Sequence, residues 1–196
     1  MRILIRALDR LILRATRVFE FCDAPDCILR AQWGRAPQDV RLAGDYRVRA
    51  GELVLYFHLW NERLPRMGAD GADWAWAMEM RHKLFASMGY LGQWLARQPQ
   101  VAEVRAVAAT TAIVAPGDER GGALLRRMGF EILPARTPWG RFGDFWENLY
   151  ASWLMWAYNA PSLRGRHLLR QGRVELWMPT DEFLRRYARG SRSSPL

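Results

Sequence analysis

A small group of polar side chains follows the most apolar stretch of the sequence. Residues 51–60 are mostly apolar or aromatic, and His58, Asn61 and Glu62 stand at and just beyond their end. His58 would act as a general base, because an imidazole with a pKa of about 6.5 accepts a proton readily at neutral pH. Glu62 would orient or charge-stabilise this imidazole, and Asn61 would donate a hydrogen bond to an oxyanion. These three residues are the candidate catalytic group.

The same group also has a purely structural interpretation. A histidine at the end of a buried strand can be hydrogen-bonded by a nearby carboxylate, here Glu62, and contribute only to the core. The sequence alone therefore leaves open whether the protein is an enzyme. The two cysteines, Cys22 and Cys27, do not have the Cys-x-x-Cys spacing of a metal or redox motif. We expect no metal site and reduced thiols, the alternative being a disulfide between the two.

A buried strand is expected to position His58. Residues 46–60 predict a strand inside the sheet, with a break at Pro65. Alternation places successive side chains on opposite faces. One face carries Leu53, Leu55, Phe57 and Leu59, and the other carries Val54, Tyr56, His58 and Trp60. Both faces are largely apolar, which favours an interior strand over an edge strand.

The remaining pattern predicts one α/β domain of the α+β type over residues 1–189, with a disordered tail at 190–196. Its central sheet is expected to be mixed, largely antiparallel and flanked by helices. The turn 43–45 should join two strands as an antiparallel pair. Strands are predicted at 27–33, 39–42, 104–114, 130–133 and 173–178. Helices are predicted at 2–21, at 73–97 with most of its surface buried, at 119–128, at 144–159 and from 180 to about 189.

Charge and aromatic content indicate an acidic partner. The net charge is +9, and the chain contains ten tryptophans, several beside arginine on predicted helices. The predicted helices 2–21 and 144–159 supply the candidate residues for an anionic membrane surface or an acidic carrier protein, the alternative being that the arginines form a solvated face on a helix packed against the sheet. These candidates are Arg6, Arg10, Arg14, Arg17, Trp146 and Trp153. No nucleic-acid partner is expected, because the basic residues are spread along the chain. No transmembrane helix is expected, because no uncharged run reaches the necessary length.

The order of elements resembles the GNAT acyltransferase superfamily. The most similar piece is 123–131, ALLRRMGFE, which looks like that family's LYEKLGFE helix-to-strand junction. The resemblance implies a GNAT-like sheet and acyl transfer from a thioester. The family's pyrophosphate loop has the pattern Arg/Gln-x-x-Gly-x-Gly/Ala, whereas residues 66–72 read RMGADGA. Leu125 and Glu119 stand where the family has its usual tyrosine acid and asparagine. The donor implied is therefore an acyl thioester on acyl carrier protein or on coenzyme A.

A second likeness covers nearly the whole chain. The segments 26–29 (DCIL), 58–62 (HLWNE) and 129–131 (GFE) together resemble the YkoP-like domain family. The His-x-x-Asn-Glu cluster is the most specific of the three. This family occurs alone or attached to polysaccharide deacetylases, so the resemblance implies a cell-envelope setting.

Two functions from different classes follow. The first is an acyltransferase-like domain at the membrane surface, linked to cell-envelope lipid or polysaccharide metabolism, with His58 as its base. The second is a non-catalytic adaptor that binds an anionic membrane or an acidic partner alongside envelope-polysaccharide enzymes. Either would be cytoplasmic and peripheral on the inner face of the membrane, since no secretory signal precedes the charged residues of the N-terminal segment.

Overall fold

The computed structural model describes residues 17–68, 71, 73–111, 119–135 and 174–188. The strands are β1 (Leu29–Arg35), β2 (Val40–Arg41), β3 (Arg47–Val48), β4 (Leu53–Leu59), β5 (Ala106–Thr111), β6 (Glu131–Pro134) and β7 (Val174–Pro179). The α-helices are α1 (Trp74–Ala96), α2 (Glu119–Arg127) and α3 (Thr180–Tyr187). Two short 3₁₀ helices occupy Asn61–Arg63 and Val101–Glu103.

Five strands form the main sheet in the order β1-β4-β5-β7-β6. Three of its four pairings are antiparallel, and β4 with β5 is the parallel one. The parallel pair is joined through α1, as a crossover connection requires. The predicted class, an α+β domain with a mixed and largely antiparallel sheet, is therefore confirmed.

The prediction of one strand over residues 46–60 is wrong in one respect, because this segment forms two strands that belong to two different sheets. β3 pairs with β2 in a separate two-stranded sheet, joined by the predicted turn at 43–45. The main chain then changes direction at Gly51, whose φ of 84° lies in the left-handed region that favours glycine. Only β4 enters the main sheet, between β1 and β5, so the prediction of an interior strand is confirmed for residues 53–59.

The two faces of β4 lie in two separate apolar clusters. Leu55 and Phe57 belong to the larger cluster, which packs under α1 and α3. Val54 belongs to the smaller cluster, which the β2–β3 hairpin covers. The hairpin is attached to the main sheet by polar contacts, among them Tyr46 Oη to the Arg105 carbonyl at 2.8 Å. The two-sided apolar pattern read from the sequence thus corresponds to two real layers.

Helix α1 matches the predicted helix 73–97, with the Asp73 carboxylate accepting the Trp76 N–H at 2.7 Å as an N-cap. The expectation that most of its surface is buried is wrong for the first half. Trp74 is 80% exposed, whereas Leu91 and Leu95 in the second half are fully buried. Both halves carry large apolar residues at helical spacing, but the main core packs against the helix only from Leu84 onward in the described chain.

Several predicted features lie wholly or partly outside the described residues. These are the helix 144–159, the tail 190–196 and residues 2–16 of the predicted helix 2–21. Residues 17–21, the described part of that helix, are not helical, because Phe19 forms a β-bridge with Ala31. None of the described helices is long and apolar enough to cross a membrane.

Candidate functional site

His58 lies near the end of β4 on the face shared with the β2–β3 hairpin. The antiparallel register places Arg30 of β1 directly opposite His58, and Gln32 opposite Tyr56. Residues on a diagonal of an antiparallel pair are close enough for long side chains to meet. Gln32 uses this geometry, because its Oε1 lies 2.8 Å from His58 Nε2. The partly buried imidazole is therefore held by an amide from the neighbouring strand.

The tautomer of His58 sets which ring nitrogen donates in this hydrogen bond and which one can act as a base. The Gln32 amide has its oxygen toward the imidazole, and this oxygen can only accept a hydrogen bond. In the matching tautomer, Nε2 of His58 carries the proton and Nδ1 keeps a lone pair. Burial lowers the pKa of His58 from its ordinary value of 6.5, because desolvation disfavours the charged form. The ring is thus neutral at pH 7 and can accept a proton at Nδ1.

Other polar groups lie on the same face of the sheet. Tyr56 is edge-on to Trp177, with ring centroids 6.2 Å apart, and Trp177 Nε1 donates to Glu175 Oε2 at 2.9 Å. Burial, and then the charge of Glu175, raise the pKa of Tyr56 to about 12. Tyr56 therefore stays protonated at neutral pH, and this face carries a phenol, a carboxylate and an imidazole.

The rest of the polar cluster read from the sequence surrounds Trp60. The Trp60 side chain is buried, and the Cζ atoms of Arg30 and Arg63 lie 4.4 Å and 3.5 Å from a ring centroid of its indole. Glu62 Oε2 lies 3.7 Å from Arg30 Nη1, and Glu20 binds the same guanidinium at 3.1 Å. We call these five residues the Trp60 clamp. Cation–π contacts of this kind stabilise the segment that follows β4.

The three predicted catalytic residues are close in sequence, and the structure gives each of them its own surroundings. The contacts described above are with Gln32 for His58 and with Arg30 for Glu62. Asn61 begins the 3₁₀ helix Asn61–Arg63 and is partly exposed. The catalytic roles of Asn61 and Glu62 remain predictions. No group of three histidine, cysteine, aspartate or glutamate side chains forms a metal-binding cluster within the described residues.

The predicted membrane or partner residues fall mostly outside the described chain. The residues outside the described chain are Arg6, Arg10, Arg14, Trp146 and Trp153. Arg17 is exposed and has a left-handed φ of 56°.

Sequence reasoning missed Gln32 and Arg30. A signal for both existed, since they are the polar residues at alternate positions of the predicted strand 27–33, but pairing them with His58 required the register of β1 on β4.

The described geometry can be set beside known proteins. No curated protein and no solved structure matches the chain. The sequence model of the YkoP domain matches residues 2–187, which is nearly the whole chain. The match includes His58, Gln32 and the Trp60 clamp, so the cluster on β1 and β4 lies within the domain that the family shares. This protein belongs to the YkoP domain family.

Proposed function

We propose that this YkoP domain is an acyltransferase-like domain that works at a membrane surface on a cell-envelope lipid or glycan, with His58 as its general base. The observation that carries the proposal is the His58–Gln32 pair. In the tautomer whose Nε2 donates to Gln32 Oε1, the neutral imidazole keeps a lone pair on Nδ1, and the same sheet face carries Tyr56 and Glu175. A base must be unprotonated at the working pH, and burial of His58 favours that state.

The reaction follows from these groups. His58 Nδ1 takes the proton from an acceptor hydroxyl as its oxygen attacks the thioester carbonyl. The C–O bond forms, the C–S bond breaks, and the leaving thiolate recovers the proton from the imidazolium. In this scheme Asn61 stabilises the oxyanion, because a side-chain amide can donate a hydrogen bond to the carbonyl oxygen on which negative charge develops. Tyr56 is not used in this scheme, because its hydroxyl donates to the Arg35 carbonyl at 3.5 Å.

The donor proposed is an acyl thioester carried by acyl carrier protein or by coenzyme A. An acidic carrier protein suits the net charge of +9. The segment 66–72, RMGADGA, lacks the glycine spacing with which GNAT enzymes hold the coenzyme A pyrophosphate. These two properties favour the protein carrier over free coenzyme A.

A thiol-release assay tests the proposal. Purified protein is incubated with an acyl-carrier-protein or coenzyme A thioester and membrane extract, and free thiol is measured over time. His58→Gln should lower the rate about 10²–10⁴-fold, because the amide cannot take up the proton. Asn61→Ala is the second variant, and Arg35→Lys on the same sheet is the matched control. Absence of turnover by the wild type with every donor would contradict the enzyme proposal.

Thermal melting separates a catalytic from a structural role of His58. His58→Ala removes a partly buried ring and the partner of Gln32, which costs about 2–4 kcal/mol if the pair mainly stabilises the core. His58→Gln retains a polar group of similar reach. A large loss in His58→Ala that His58→Gln largely repairs would remove the catalytic assignment.

The pH dependence of stability reports on the same imidazole. The pKa of His58 is lower in the folded state than its ordinary value of 6.5, so the unfolded chain binds the proton first as the pH falls. Stability from this group is therefore complete above about pH 6.5 and declines as the pH falls toward the folded-state pKa. Urea titrations at pH 7 and pH 5 should show a smaller loss for His58→Gln than for the wild type. Equal losses would show that His58 is solvated.

A second candidate function, the non-catalytic adaptor, is favoured by a separate observation. The first half of α1 exposes three large apolar side chains, Trp74, Met78 and Phe85, and the Cζ of Arg81 lies 5.7 Å from the centroid of the Phe85 ring. Exposed aromatic groups beside arginine suit the interface of an anionic membrane. An adaptor would bind anionic vesicles equally well as the wild type and as His58→Gln, and it would show no thioester turnover.

A further inference from the structure

The exposed apolar side chains of α1 form one narrow stripe along the helix. Trp74, Met78 and Phe85 are 80%, 40% and 38% exposed, and the exposed Arg81 stands between the last two in the sequence. At 3.6 residues per turn, these four positions fall within an arc of about 60° on the helix surface. Glu79 is the only carboxylate between Trp74 and Phe85, and it forms a salt bridge at 2.9 Å to a lysine one turn further on. We call Trp74, Met78 and Phe85 the apolar stripe.

The apolar stripe leads directly to the end of α3. Gly92 lies at the same angle on α1 as the stripe, and a Cβ at Gly92 would lie 2.7 Å from the Tyr187 carbonyl carbon. Phe85 precedes Gly92 by seven residues, which is about 10 Å along the helix axis. The last turn of α3 therefore meets α1 on the face that carries the stripe, and the exposed Arg185 and Arg186 belong to that turn.

The C-terminal end of α2 lies next to that of α3. Tyr187 Oη donates to the Met128 carbonyl at 2.8 Å, and a Cβ at Gly129 would lie 2.7 Å from Arg186 Cζ. Each of these two helices ends in two exposed arginines, a position that the helix dipole favours for cations. We call the four of them the helix-end arginines: Arg126, Arg127, Arg185 and Arg186. Within the described residues, the one carboxylate that forms salt bridges with this group is Glu182, which contacts the two arginines of α3, so an excess of positive charge remains.

We propose that the apolar stripe and the helix-end arginines together form the surface by which the protein docks on an anionic lipid bilayer, an inference that rests on the membrane association in the proposed function. The stripe lies at the boundary of headgroups and acyl chains, and the arginines bind the headgroup charge. Charge alone suits an acidic protein as well, but the adjoining aromatic and aliphatic side chains favour the bilayer. His58 lies on the other face of the main sheet, so docking through the helices leaves the His58 face free for an acyl carrier.

Sedimentation of the full-length protein with phosphatidylcholine vesicles, with and without phosphatidylglycerol, tests the proposal. The double variant Arg127→Gln/Arg185→Gln removes two helix-end arginines. The matched control, Arg41→Gln/Arg47→Gln, removes two exposed arginines that face each other on the β2–β3 hairpin, on the other side of the main sheet. Each double variant lowers the net charge of +9 by two. The first should bind anionic vesicles about 30-fold more weakly than the wild type, because each basic residue near such a surface contributes a factor of about five. The control should bind like the wild type.

Three results would overturn the proposal. Equal weakening in both double variants would mean that binding depends on net charge alone. A wild type that does not bind anionic vesicles, or that binds neutral vesicles equally well, would remove the bilayer as the partner. A wild type that binds an acidic carrier protein through the helix-end arginines, and no vesicles, would assign the surface to a protein.

A measurement on the wild type decides if either double variant fails to fold by circular dichroism. Oxidative footprinting labels exposed indole and thioether groups, so anionic vesicles must protect Trp74 and Met78 from oxidation. Unchanged labelling of both side chains in bound protein would contradict the proposal. Vesicle binding requires neither a thioester nor His58, and His58→Gln should bind like the wild type. A failure here is therefore distinct from a failure of acyl transfer, which the thiol-release assay reports.

Discussion

The two halves of helix α1 share one sequence pattern and meet two different surroundings. In the second half, Met88, Leu91 and Leu95 are at most 1% exposed and belong to the main core. In the first half, Trp74 and Met78 are 80% and 40% exposed. Both halves place large apolar side chains at helical spacing, so the difference lies in what the described sheet and α3 provide beneath each half.

The second half is covered because two elements converge on it. β1, β4 and β5 supply the apolar floor, and α3 crosses close enough that Gly92 approaches the backbone of Tyr187 and Ala188. Tyr187 in turn donates its hydroxyl to the Met128 carbonyl at 2.8 Å. The comparison teaches that periodicity identifies a helix and a face, whereas burial depends on how far the neighbouring elements extend.

Leu91→Ala should show the largest effect and would sharpen the contrast. It removes a fully buried side chain from the main core, which costs about 2–5 kcal/mol because the cavity is only partly refilled. Met78→Ala, in the exposed half, is the matched control and should change the free energy of unfolding by less than about 0.5 kcal/mol. Urea denaturation of both variants measures the difference. Similar losses in the two variants would mean that the first half is covered in solution.

A pair of glycine substitutions gives the next largest effect. A Cβ at Gly92 would lie 2.7 Å from the Tyr187 carbonyl carbon, so Gly92→Ala should force α1 and α3 apart and cost about 1–3 kcal/mol. Gly89 has no atom within 4 Å of an added Cβ, and Gly89→Ala should therefore stabilise the helix by about 0.5–1 kcal/mol. Melting temperatures should rank Gly89→Ala above the wild type and Gly92→Ala below it. The reverse order would refute the close crossing of the two helices.

The smallest effect on stability is expected for Trp74→Ala. Because the indole is 80% exposed, its loss should change the free energy of unfolding by less than about 0.5 kcal/mol. If the exposed half of α1 contacts a membrane, the same variant should sediment less with anionic vesicles than the wild type does. Neutral vesicles are the control. Equal sedimentation of the two proteins, or wild-type binding to neutral vesicles alone, would show that this half of α1 is not the contact.

The candidate site divides in a similar way between sequence and structure. His58, Asn61 and Glu62 stand out in the sequence because they are polar residues at the end of an apolar run. The pairing of His58 with Gln32 does not stand out in the sequence. The two residues are 26 positions apart, and their contact depends on the register that places β1 beside β4. The same register places Arg30 opposite His58, and Arg30 Nη1 lies 3.7 Å from Glu62 Oε2, while the role of Glu62 at the imidazole stays a prediction.

The sequence by itself determined the local elements of this protein. Alternation identified β4 and its two apolar faces, Asp73 marked the start of α1, and Gly129 marked the end of α2, because these signals depend on neighbouring residues only. The tertiary structure alone decided which elements meet. It separated β3 from β4 at Gly51, left the first half of α1 uncovered in the described chain, and brought Gln32 beside His58. Each of these outcomes depends on packing between distant segments or on a local change of chain direction, and composition and spacing do not encode such geometry directly.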